Sequence, residues 1–218
     1  MSEKKSKKNG SHFRITYNAP VTLTFSFIAA AVLLLDIKVF HHHLIPGIFV
    51  APGCQGSVFA FNWKSPLDYI RLFTHVLGHA DWTHLLSNLS FILLLGPLLE
   101  ERYGSGLLAL MMSVTALVTG VINACFIVSP LMGASGIAFM MILLASFTTI
   151  SQNEIPLSFL LILALYLGRE FFSPAHDPNI ATFAHVAGGI CGSLFGFLAA
   201  PARRSSGKNR NIKQADAD

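Results

Sequence analysis

Ser135 and His185 are the pair of side chains in this 218-residue sequence best suited to attack a carbonyl. A serine hydroxyl is a weak nucleophile until a positioned base takes its proton, and imidazole titrates close enough to neutrality to do so. Ser135 stands in Gly133-Ala134-Ser135-Gly136, where glycine permits tight turning and close approach of a second chain. If the serine opens a helix, its backbone amide lacks an intrahelical partner and can point at a developing oxyanion. His84 and Asn88 lie four apart, hence on one helical face, and each can donate a hydrogen bond to that same oxygen. Taken alone, the tetrapeptide is better explained by helix packing, which small residues favour in membranes. The chemistry rests on the three sets meeting.

The elements that must bring them together are membrane spans. The sequence is 53% hydrophobic and only 12% charged, against about 25% charged in soluble domains. No Asp, Glu, Lys or Arg interrupts residues 15–35, 82–99, 103–153, 155–168 or 178–202, and a crossing helix needs roughly 20 mainly apolar residues. The third run divides at Ser129-Pro130, because proline removes a backbone donor and disfavours helix in the residue before it. Six spans result. The first is longer than the apolar part of a typical signal peptide and is expected to remain as a helix.

Lys4, Lys5, Lys7, Lys8 and Arg14 precede the first span, and Arg203, Arg204, Lys208, Arg210 and Lys213 follow the last. The charge bias puts both tails in the cytoplasm, and an even number of spans requires the two ends to share a side. Residues 1–14 and 203–218 are then flexible basic tails flanking a six-span unit at 15–202. Even-numbered spans run inward, so His84, Ser135 and His185 all start from the outer face, each roughly 5 to 10 Å down at about 1.5 Å per residue. The sequence pI of about 9.1 reflects basic residues beside membrane spans, so lipid and not nucleic acid is their expected contact.

The connection over residues 36–81 is the one long loop. It mixes His41, His42 and His43 with Phe49, Phe59, Phe61 and Trp63, is too apolar for a free linker, and is expected at the membrane interface. The triple histidine reads as a solvated interfacial cluster and not a metal site. Cys54, Cys125 and Cys191 are odd in number and unpaired in spacing, so no disulfide framework is implied.

His84-Leu-Leu-Ser-Asn88, Gly133-Ala-Ser135-Gly136 and Ala184-His185-Val-Ala-Gly188-Gly-Ile-Cys-Gly192, in this order and spacing, resemble the rhomboid family. Glu100 and Arg102 match that family's Glu-x-Arg pattern, and Arg71 with His75 to His79 resemble its approach to the second helix. The resemblance covers roughly residues 69–200. It implies an all-α, six-transmembrane-helix bundle that cleaves peptide bonds within or beside transmembrane segments, without metal or cofactor. Ser135 would attack and His185 would shuttle the proton. His84, Asn88 and the Ser135 amide would form the oxyanion hole, and Gly188 and Gly192 would let span six pack on span four. Two positions depart from the family pattern. Phe139 stands where tyrosine is frequent and can still stack on the His185 ring, while Ile70 stands where tryptophan is frequent.

No carboxylate is placed as a third catalytic member: Asp177 reads as a solvated loop charge, and Glu100 with Arg102 as a structural pair at the opposite face. Two rival readings remain. A metal or proton transporter could use His75, His79, His84 and His185, but no carboxylate lies inside a span to balance a cation, and the zinc-protease pattern H-E-x-x-H is missing. A catalytically inactive relative that binds membrane proteins would not need both Ser135 and His185. The expected setting is a prokaryotic plasma membrane with transmembrane proteins as substrates; the sequence does not give the oligomeric state.

Overall fold

The computed structural model describes residues 17–150, with side chains to 146, and further on positions 157, 160, 161, 164, 168, 186–192, 194, 195 and 198. Helix α1 (Pro20–Lys38) opens on a proline, whose fixed φ suits the first helical turn and whose missing N–H is not needed there. Two short helices follow, α2 (Leu44–Ile48) and α3 (Pro66–Thr74), the second running into a 3-10 turn at His75–Leu77. Then come α4 (Trp82–Tyr103), α5 (Ser105–Phe126) and α6 (Ser135–Ile150). Helices α1, α4 and α5 are each long and apolar enough to cross a membrane.

α4 is the central post, packed against α1 on one side and α6 on the other. Its buried residues Leu85, Leu89, Ile92, Gly96 and Leu99 recur at the helical period, while Leu86, Leu93, Leu94 and Leu98 are exposed. Apolar residues thus cover the outside as well as the inside. That suits a helix bundle whose surroundings are hydrocarbon. Gly96 exists for close packing: a Cβ there would fall 2.5 Å from the Thr22 side chain of α1.

At the far end of α4 the Glu100 carboxylate accepts from Val21 N at 2.9 Å, Thr22 N at 3.0 Å and Thr22 Oγ1 at 2.9 Å. It caps α1 from another helix, using amides that have no partner of their own at a helix start. The structural role expected of Glu100 therefore takes the form of an inter-helix cap. Gly104, at φ +84°, then turns the chain between α4 and α5.

The long loop is folded. Asp36 Oδ1 caps α2 through Leu44 N and Ile45 N, both at 2.9 Å, and His42 Nδ1 lies 3.3 Å from the other oxygen. Arg71 binds Asp68 at 2.6 Å and the Gly47 carbonyl at 3.1 Å, with its guanidinium 4.8 Å from the Phe59 ring. One cation therefore joins α2, α3 and the segment between them. α3 lies against α5, where Gly120 admits it: a Cβ at Gly120 would meet the Leu72 carbonyl at 2.5 Å. Thr115, Thr119 and Asn123 form a buried polar row on the same helix, and Asn123 Nδ2 ties Pro52 O at 3.2 Å to Ser129 O at 3.1 Å.

Candidate active site

Ser135 is the first residue of α6, only 8% exposed, and three separate elements hold the strand-like segment leading to it. Leu131 exchanges both backbone hydrogen bonds with Ala51, at 2.8 and 3.0 Å. Gly133 N donates to the His75 carbonyl at 2.9 Å, and Ala134 N donates to His79 Nε2 at 3.4 Å. Ala138 N to Ala134 O, 2.9 Å, starts the helix immediately afterwards. The turn itself needs glycine, because Gly133 sits at φ +110°.

His79 is fully buried, and its Nδ1 lies 3.3 Å from Leu77 O. Both ring nitrogens are satisfied only in the neutral form, with the proton on Nδ1. Burial pushes its pKa down to about 4, and burial does the same to His75, whose Nε2 lies 3.3 Å from Thr119 Oγ1. These two histidines are fixed hydrogen-bonding parts at neutral pH.

His84 and Asn88 approach from α4. Asp81 caps that helix by accepting from His84 N at 2.8 Å, which sets the orientation of the first turn. Ala80 N points at His84 Nδ1 over a long 3.5 Å, leaving Nε2 as the nitrogen that carries the proton. The ring stands edge-on to His79, centroids 5.0 Å apart. A Cβ placed on Gly133 would fall 2.7 Å from His84 Nε2 and 3.5 Å from Asn88 Nδ2, so both donors press on the backbone just before Ser135. Asn88 Nδ2 is buried and makes no hydrogen bond to any described residue. Such a group normally carries a penalty of about 1 to 3 kcal/mol, which makes it a donor waiting for an acceptor.

On the other side of α6, residues 186–192 are helical and press close. A Cβ on Gly188 would fall 2.2 Å from the Gly136 carbonyl, and one on Gly192 would fall 2.5 Å from the Met140 carbonyl. Two glycines four apart on one helix thus meet two backbone carbonyls four apart on the other, the small-residue packing of membrane helices. Phe139 lies over Gly189, whose Cβ would fall 2.9 Å from its ring. His185 and Asp177 lie outside the described residues.

Residues 66–202 match the sequence model of the Rhomboid domain. The chain belongs to the rhomboid family. It is 27% identical over 140 residues to the rhomboid protease GlpG of Haemophilus influenzae, a match covering 62% of this chain and 72% of that protein. It is 28% identical over 164 residues to rhomboid protease GlpG of Salmonella choleraesuis, covering 69% of this chain and 58% of that protein. With rhomboid-related protein 1 of Caenorhabditis elegans it shares 26% over 176 residues, covering 73% of this chain and 45% of that protein. The chain thus spans between about half and three quarters of the length of these relatives.

This rhomboid is a mostly helical membrane protein, with the candidate residues His84 and Asn88 on α4 and Ser135 on α6. Among the described residues no three of His, Cys, Asp or Glu come together as a metal-binding group; His75 and His79 are engaged by Thr119 and by the amide of Ala134. The structure brings His84 and Asn88 against the backbone that leads into Ser135, and it adds a positioning part for His75 and His79 that the sequence does not announce. Two histidines in an apolar loop stretch, with no charged residue between them, were the available signal: polar rings buried there must be hydrogen-bonded to something.

Proposed function

We propose that this rhomboid is a serine endopeptidase that cleaves transmembrane proteins near the outer membrane face, with a Ser135–His185 dyad. Ser135 attacks the scissile carbonyl as His185 accepts its proton, and His185 then returns that proton to the leaving amine. His84 Nε2, Asn88 Nδ2 and the Ser135 amide receive the oxyanion. The observation that carries this reading is the buried Asn88 Nδ2, without a hydrogen bond to any described residue, beside His84 Nε2, both against the backbone that leads into Ser135. Preorganised donors of this kind act on charge that develops in the transition state. Gly133, Gly136, Phe139, Gly188 and Gly192 support the site by permitting close approach.

The same reading makes residues 15–202 a six-span unit in a bacterial inner membrane, with both basic tails, 1–14 and 203–218, in the cytoplasm. No metal or cofactor is needed for any step. The test is cleavage of a transmembrane substrate in liposomes: Ser135→Ala abolishes it while the protein stays folded, and a chelator changes nothing. Substantial cleavage by purified Ser135→Ala, or loss to chelation restored by zinc, overturns the proposal.

A further inference from the structure

A cleft of about 150 Å³ lies between α1, α3 and α5, with Ile137 of α6 in its lining but not His84, Asn88 or Ser135. Phe25 of α1 forms one wall, Met112 and Ala116 of α5 the opposite wall, and Val76 and Leu77 of the 3-10 turn close it from above. Phe73 and Ser113 stand at its rim and are exposed, so the cleft is open to whatever surrounds the bundle. The single polar side chain among the described residues that line it, Ser113, donates to Ala109 O at 2.8 Å and offers a guest little.

The depth of the mouth decides what that surrounding is. α5 has 22 residues and spans about 33 Å at 1.5 Å per residue, close to the roughly 30 Å of a bilayer's hydrocarbon core. Met112 to Ala116 lie at its middle. Whichever way the chain is oriented, the Met112 and Ala116 side of the mouth lies near the bilayer centre, where the ends of acyl chains are. An apolar cavity of about this volume takes up a benzene-sized guest and excludes water. We infer that the cleft between α1, α3 and α5 seats the end of a phospholipid acyl chain. The occupant sits behind the catalytic segment: Val76 follows His75, whose carbonyl holds Gly133 N, and Ile137, two residues past Ser135, also lines the cleft. A filled cleft supports the chain that presents the nucleophile.

The test uses the full-length protein in vesicles of phosphatidylcholine carrying a diazirine at the acyl-chain end, with labelled sites mapped by mass spectrometry. Leu110, 58% exposed on the same helix and one turn away, reports ordinary lipid contact. The expected result is labelling of Met112 and Ser113 well above Leu110. Ser113→Phe, which plugs the mouth, should lower that labelling about ten-fold, the effect of losing roughly two buried methylene groups, with Leu110 unchanged. Equal labelling of Leu110 and Ser113 in the wild type means bulk lipid contact only and overturns the inference, as does a folded Ser113→Phe that labels normally. Protection of Ser113 by an added substrate span would also overturn it, because the occupant would then be a protein helix. The wild-type ratio stands even if the variant fails to fold.

Discussion

Glu100 and Asn88, buried polar side chains towards opposite ends of α4, are treated in opposite ways. At one end the Glu100 carboxylate is saturated, taking two amides and a hydroxyl from α1. At the other, the Asn88 amide is just as buried and makes no bond to any described residue, with the His84 ring beside it. A polar group inside a membrane bundle is costly unless partnered. The satisfied Glu100 fits a structural part, and Asn88 Nδ2 beside His84 fits the oxyanion donor proposed above. Mutation should separate the two ends: changes near Asn88 should alter turnover, and changes near Glu100 should alter stability.

On the proposed dyad the largest effect belongs to His185→Ala, which would leave Ser135 unactivated and should take cleavage below detection with an unchanged thermal melt. His84→Ala and Asn88→Ala should each slow turnover by about 10² to 10³, the usual worth of one oxyanion donor, again without lowering the melt. If His185→Ala retained more activity than His84→Ala, base and oxyanion donor would have been assigned the wrong way round. Glu100→Ala should do the reverse. It leaves buried donors of α1 unpaired, about 1 to 3 kcal/mol each, so melting falls while turnover per folded molecule holds. A thermal melt and a cleavage assay on the same four variants check the contrast.

This contrast was half legible in the sequence. His84 and Asn88 declare themselves by a spacing of four, and the Ser135 turn by its glycines, because these signals are local. The partner of Glu100 is not local: Thr22 lies 78 residues away, and nothing in the residues around Glu100 indicates which helix start it will cap. The 36–81 segment reads as too apolar for a linker, yet the Arg71 link to Gly47 that joins its two short helices depends on residues 24 apart. The apolar runs located α1, α4 and α5 well, while their ends moved: α1 begins at Pro20 and α4 continues through Pro97 to Tyr103. A charge ends an apolar run without ending a helix.

Acid should reveal the histidines that hold the segment leading to Ser135. His75 and His79 are pushed from an ordinary 6.5 to about 4 by burial. Between those values the folded protein binds fewer protons than the unfolded chain. Their contribution to stability is therefore complete above about pH 6.5 and is lost progressively as pH falls toward 4. The melting temperature should drop through that window, and His79→Asn, which removes one titrating ring, should flatten the slope. An unchanged slope in a folded His79→Asn protein would show that the acid sensitivity arises elsewhere.

The smallest effect tests the satisfied end most finely. Thr22→Val removes one hydroxyl from the Glu100 cap and keeps both methyl-sized branches, so the contact with Gly96 survives and Glu100 still accepts from Val21 N and Thr22 N. In water, a hydrogen bond to a charged group is worth about 1.5 to 3 kcal/mol. Between membrane helices the measured average is nearer 0.6 and the maximum about 1.7, because the separated helices also find partners. The membrane figure applies to a bond that joins α1 to α4, so the loss should be about 1 kcal/mol with turnover unchanged. Thr22→Ala should destabilise further, since it also withdraws the methyl that packs at Gly96. Reversible unfolding of both variants in the same detergent gives the two values. If Thr22→Val lost as much as Glu100→Ala, the hydroxyl would be carrying the cap and the two amides would not.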